Sequence, residues 1–112
     1  MANYQSVTPV QLGQAALTTG YTTVYTTPAS TKTYVKQIDI CNTTASPINI
    51  YVSLVPAAGT AGASNSIFFN TTLTGYSTLS WNGTQIMNVG GTLQAKASAT
   101  GVTITASGGE AV

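Results

Sequence analysis

Few side chains in this sequence can do chemistry at neutral pH, and they are scattered. Two are carboxylates (Asp39 and Glu110), three are lysines (Lys32, Lys36 and Lys96) and one is a thiol, Cys41; histidine and arginine are absent. A pair of carboxylates flanking a bond is the machinery of glycoside hydrolysis. Glu110, however, lies in the glycine-rich stretch "ASGGEAV", where a mobile chain end would not hold it in position. Serine and threonine abound, but a hydroxyl nucleophile needs a neighbouring base, and lysine alone is on offer. Cys41 sits among isoleucines in "IDICN", the setting of a small apolar packing group. No His or Arg exists to lower its pKa. No spacing of His, Cys, Asp or Glu suits a metal, and no glycine-rich loop opens a helix to cradle phosphate. The expectation is a non-enzyme, without catalytic residues, metal ligands or a cofactor.

Three of the five charges fall in one stretch, "KTYVKQIDICNTTASPINIYVSLV". Lys36 and Asp39 are three apart, so a regular strand would point them to opposite faces. Solvated charges of this kind deter wrong strand pairing. A sharper role would set Asp39 against a lysine of a neighbouring subunit, which makes it an interface candidate. Trp81 precedes Asn82-Gly83, the strongest two-residue turn signal in the chain. It alternates with Leu79, as a core residue would, or it is a platform for stacking a sugar ring.

These residues must be carried by strands, because strand periodicity dominates. In "SPINIYVSLVP" Ile48, Ile50, Val52 and Leu54 fall on one face. Asn49, Tyr51 and Ser53 fall on the other, toward water or a partner, and Tyr51 is a second interface candidate. Upstream, Tyr34, Lys36, Ile38 and Ile40 are expected to share a face, opposed by Val35, Gln37, Asp39 and Cys41. The short polar "NTTASP" between the two segments predicts adjacent antiparallel strands. Further strands are expected in "YTTVYTT", "IFFNTTL", "STLSW", "TQIMNV", "TLQAKAS" and "VTITA", with turns at Gly90-Gly91 and Thr100-Gly101. "VQLGQAALTTG" is strand or irregular. The prediction is an all-β fold, an antiparallel β-sandwich or jelly roll of about seven to nine short strands. Residues 1–11 are expected to form an N-terminal arm, 12–107 one β-sandwich domain, and 108–112 a flexible tail. Tyr4, Val7 and Pro9 are the arm residues with something to bury against a neighbour.

Composition narrows the partners. Charged residues make up 4% of the 112, against about 25% in a typical soluble domain. Three lysines cannot form the basic stripe that nucleic acid requires, nor a patch for an anionic membrane. No apolar run approaches the roughly 20 residues of a membrane span. The opening "MANYQSVTPVQ" lacks the basic and apolar regions of a secretory signal. Three sequons begin at Asn42, Asn70 and Asn82, numbers that chance supplies in so Asn- and Thr-rich a chain. Uncharged segments of high β propensity, such as "INIYVSLV" and "SIFFN", would template aggregation if their edges stayed open. Low net charge also removes the repulsion between free copies. The composition suits a subunit that lives docked against other proteins.

Three longer stretches carry a resemblance: "LGQAALTTGYTTVYTTPA", "IDICNTTAS" and "GTLQAKASATGVTITASGGE". Over roughly residues 10–110 the chain resembles small structural proteins of tailed bacteriophages and prophages. The resemblance implies a β-sandwich subunit of the virion, made in the bacterial host cytoplasm. The first expectation is a capsid decoration (cement) protein, trimeric, that stabilises the shell by contacting the major capsid protein. The alternative is a neck, tail or fibre accessory protein that binds carbohydrate or a receptor, with Trp81 as the stacking residue. Where those proteins place an acidic residue in a Gly-Asp-Thr turn, this chain has Gly91.

Overall fold

The computed structural model describes residues 6–112. Eight strands follow in order: β1 (Val7–Ala16), β2 (Thr22–Thr26), β3 (Lys32–Asn42), β4 (Ile48–Val55), β5 (Ser66–Leu73), β6 (Thr78–Met87), β7 (Thr92–Ala97) and β8 (Val102–Ala111). Among the described residues the only helical element is one 3-10 turn, Ala63–Asn65. The strands form two four-stranded sheets, β1-β8-β3-β6 (sheet A) and β2-β7-β4-β5 (sheet B). Every pairing is antiparallel. Two sheets of this order make an eight-stranded jelly roll.

Alternation drives the two sheets together. The inward positions of β4, β7 and β8 (Ile48, Ile50, Val52; Leu93, Ala95, Ala97; Val102, Ile104, Ala106) are all buried and share one core. Each fully buried Ile, Leu or Val is worth about 1.5–3 kcal/mol, so this layer is the main source of cohesion. Within each sheet an isoleucine stands beside an alanine, Ile50 with Ala97 and Ile38 with Ala106, so large and small side chains alternate in the core.

Several expectations need correction, each for a local reason. β3 and β4 are not neighbours: β3 pairs with β6 and β8 in sheet A, and β4 with β5 and β7 in sheet B. The "NTTASP" segment is a crossover, and the buried Asn42 holds it. Its Nδ2 donates to the carbonyls of Ser46, Leu73 and Thr74 at 2.8, 3.1 and 3.2 Å. Its Oδ1 accepts from Thr44 N and Oγ1 at 3.0 and 2.7 Å. A side chain so occupied fixes the chain path where it leaves one sheet for the other.

Asn82-Gly83 is not a turn either. β6 runs straight through it, and the register with β3 jumps from Val35↔Gln85 to Gln37↔Asn82. Gly83 and Thr84 together face Lys36, which is a β-bulge; an interior glycine marks such a site as readily as it marks a turn. Lys36 is itself an extra residue against β8, where Val35↔Gly108 is followed by Gln37↔Ser107. The bulge reverses the phase of β3. Thr33 and Val35 point inward on one side of it, Ile38, Ile40 and Asn42 on the other. Tyr34 and Lys36 therefore stand on the outer face, opposite to the expected arrangement.

The glycine-rich C-terminal stretch is also part of the sheet. β8 continues to Ala111 between β1 and β3, and Ala111 is buried. Residues 7–11 likewise belong to β1. Glycine is required here by close approach, since a Cβ on Gly108 would lie 1.8 Å from the Tyr34 carbonyl oxygen. A segment that looks flexible from its composition is thus a central strand whose neighbours admit no side chain at that point.

Candidate interaction surfaces

The bulges of sheet A fall at one level. Leu12 is an extra residue of β1 between Gln11↔Ser107 and Gly13↔Ala106. It lines up with Lys36 of β3 and Gly83-Thr84 of β6. Bulges bend a strand and sharpen its twist, so a line of them bends the whole sheet. Beside this line, on the outer face, lies an open groove of about 410 Å³ lined by Val7, Pro9, Tyr34, Lys36, Thr84 and the Gly108-Gly109 backbone. Val7 is 57% exposed, and Ile86, paired with Tyr34, is 55% exposed. Lys36 is anchored at the groove margin, donating from Nζ to Thr84 Oγ1 at 2.7 Å. The result is an apolar trough on a glycine floor with one positioned cation.

Between the sheets, close to the groove floor, Glu110 is tied rather than mobile. The Tyr25 hydroxyl donates to Glu110 Oε2. With that proton committed, the Thr33 hydroxyl donates to Tyr25 Oη at 2.8 Å. Burial first, and the hydrogen bond to Glu110 second, push the Tyr25 phenol up to about 12. This contact links β2 of sheet B to β3 and β8 of sheet A. The contact joins the two layers of the sandwich.

The outer face of sheet B has a different character. Tyr51 pairs directly with Lys96, and the Lys96 ammonium lies 4.7 Å from the Tyr51 ring centroid and 4.8 Å from that of Tyr21. Phe69 meets Tyr51 edge to face, with centroids 5.3 Å apart. A bulge in β5 builds this contact: Ile50 pairs with Thr71 and Val52 with Phe68, leaving Phe69 and Asn70 both opposite Tyr51. Regular alternation would have turned one of them into the core. Asn70 Oδ1 accepts from Tyr51 Oη at 2.9 Å and from Asn49 Nδ2 at 2.8 Å. Thr72 Oγ1 donates to Asn49 Oδ1 at 2.9 Å.

The residues singled out from the sequence are dispersed among these places. Val7 and Pro9 line the groove of sheet A; Tyr4 lies outside the described residues. Asp39 stands on the outer face of sheet A, accepting from the Gln37 side chain at 3.1 and 3.3 Å. Lys36 and Asp39 share that face because of the bulge, and each has its own partner. Tyr51 is at the centre of the sheet B cluster. Trp81, half-buried, pairs with the inward Ile38 and packs against the core, with Gly83 beside its ring. Cys41 is a half-buried free thiol on the outer side of β3. Sequence reasoning missed Tyr34, Phe69, Asn70 and Lys96 as surface features. The first three owe their positions to bulges, and Lys96 to pairing between strands far apart in sequence.

No family model matches the sequence, and no curated protein matches it. Among solved structures the chain is similar to "Structure of infectious bursal disease virus Gx strain", with 11% identity and a TM-score of 0.31. The alignment covers 97% of this chain and 28% of that one. A likeness at this level identifies neither a family nor a function.

Proposed function

We propose that the protein is a non-enzymatic structural subunit of a virion: a bacteriophage capsid decoration protein that docks as a trimer on the major capsid protein and stabilises the shell. The observation that carries this reading is the exposed apolar groove of sheet A, built from Val7, Pro9 and Tyr34 on a floor of two glycines. Contiguous exposed apolar surface with a polar margin is the mark of a docking site. A chain with 4% charged residues has little repulsion to keep such a surface from docking. The stretches that resemble tailed-phage structural proteins supply the setting. Repetition over a symmetric shell multiplies each contact, so a modest groove suffices.

The test adds purified protein to undecorated shells and measures occupancy and resistance of the shell to heat. Saturable binding is expected, and Val7→Asp together with Tyr34→Ala should weaken it by at least roughly tenfold without moving the melting temperature of the free protein. Absence of binding to shells sinks the proposal. A second reading, a neck, tail or fibre accessory protein with a carbohydrate-binding role, is favoured by the aromatic cluster of sheet B.

A further inference from the structure

We infer that the outer face of sheet B carries a binding site for an acidic sugar, a pyranose bearing a carboxylate, formed by Phe69, Asn70, Asn49 and Lys96. The site is distinct from the groove of sheet A and does not depend on where on a particle the subunit sits.

The cation comes first. Both carboxylates of the chain, Asp39 and Glu110, lie on strands of sheet A, and Lys96 is the one charged side chain on a strand of sheet B. Its ammonium is held between the rings of Tyr21 and Tyr51, which fixes its place while leaving its charge unneutralised by any acid of that sheet. A fixed, partly desolvated cation with no local counter-charge is complementary to an anion.

The remaining groups specify the kind of anion. Phe69 is 55% exposed, and one face of Tyr51 is already occupied by Lys96, so Phe69 is the free aromatic surface of the cluster. An exposed aromatic ring that keeps one position suits the C–H face of a sugar. The T-shaped contact with Tyr51 holds Phe69 in that position.

Polar groups surround the ring in a defined arrangement. Asn70 Oδ1 already accepts two hydrogen bonds, from Tyr51 and Asn49. That fixes the amide orientation and turns Asn70 Nδ2 outward as a donor. Asn49 is in turn fixed by Thr72. A flat apolar platform, preset amide donors and one cation match a carboxylated pyranose, whose C–H face, hydroxyls and carboxylate each find a partner.

The β5 bulge is the supporting structural fact. It places Phe69 and Asn70 on the same face of the sheet, and Asn70 adopts a left-handed backbone, φ 52°. Bulges of this kind re-aim side chains at functional sites.

The experiment is a titration of the isotopically labelled full chain, followed by its backbone amide resonances, with glucuronic, galacturonic and N-acetylneuraminic acids. Glucose and galactose serve as neutral comparisons. At least one acidic sugar is expected to give saturable shifts centred on Asn49, Tyr51, Phe69, Asn70 and Lys96. Phe69→Ala should weaken binding roughly tenfold, the scale of one aromatic contact. Lys96→Gln should equalise acidic and neutral sugars, and Trp81→Ala, which lowers stability through the core, should leave the sugar affinity of the folded protein unchanged. Both site variants are on the surface, and an unchanged melting curve shows that they fold. The inference is overturned if no sugar gives saturable shifts at millimolar concentration, if the shifts fall on sheet A, or if Phe69→Ala binds like the wild type. Loss of shell binding in the Val7 and Tyr34 variants, with sugar binding kept, separates this site from the docking groove.

Discussion

The two outer faces are built by one device and put to different use. On sheet A, bulges at Leu12, Lys36 and Gly83-Thr84 line up across three strands and bend the sheet into an apolar trough. On sheet B, a bulge at Phe69-Asn70 leaves the sheet open but brings two adjacent residues to one side. The first changes the shape of a surface, and the second changes its chemistry. In a chain with five charged side chains, neither surface can be specified by an array of ion pairs. Position has to be set by backbone irregularity instead.

The largest effect should come from filling the floor of the trough. A Cβ on Gly108 would meet the Tyr34 carbonyl at 1.8 Å, and backbone cannot swing aside as a flexible side chain can. Gly108→Ala is expected to cost about 2–4 kcal/mol, seen as a drop of roughly 10–25 °C in the thermal midpoint. Gly20→Ala, where nothing lies within 4 Å, is the matched control and should melt near the wild type. Equal melting of the two variants would mean that the strands part easily at the bulge line and the trough has no fixed shape.

The bulges also mark the boundary of what the sequence shows. The strands were legible because Val, Ile and Thr alternate with polar residues. In β4 the expected inward set of Ile48, Ile50, Val52 and Leu54 matches the core side, with Leu54 packing at its margin. An extra residue leaves no comparable trace. It reverses every face beyond it, which is why Tyr34 and Lys36 stand opposite to the alternation extrapolated from Ile38 and Ile40. Its one compositional signature is glycine, and glycine is ambiguous: Asn82-Gly83 looked like a turn and "ASGGEAV" like a loose tail. The exchange of strands between sheets was equally hidden. It depends on the buried hydrogen bonds of Asn42, a residue that looked like part of an ordinary polar loop.

A second perturbation probes the tie between the faces. The Tyr25 phenol is raised from its ordinary 10.0 to about 12 in the folded protein, so folding favours its neutral form. Below pH 10 both states hold the proton and this contribution is fully present. Between pH 10 and about 12 the unfolded chain releases the proton while the folded one retains it, so stability falls as pH rises. Denaturant midpoints measured across this window should decline for the wild type and less for Tyr25→Phe. Amide exchange should quicken at Gly108–Ala111 before it does at Phe69-Asn70, since Glu110 is the partner on the trough side. Simultaneous loosening of both faces would mean that the tie is not local to sheet A.

The smallest effect isolates the sheet B bulge from the side chain it presents. Asn70 holds φ at 52°, a left-handed conformation that costs most non-glycine residues roughly 1–2 kcal/mol and asparagine less. Asn70→Ala combines this strain with loss of the acceptor used by Tyr51 and Asn49, and should lower stability by about 1 kcal/mol. Asn70→Gly loses the same acceptor but relieves the strain, and should stay within about 0.5 kcal/mol of the wild type. Because both variants remove the same hydrogen bonds, the gap between their denaturant midpoints measures the backbone requirement alone. If the two unfold together, the left-handed residue is not what holds the bulge. The position of Phe69 would then be set by its contact with Tyr51, and the aromatic pair would be the primary organiser of that face.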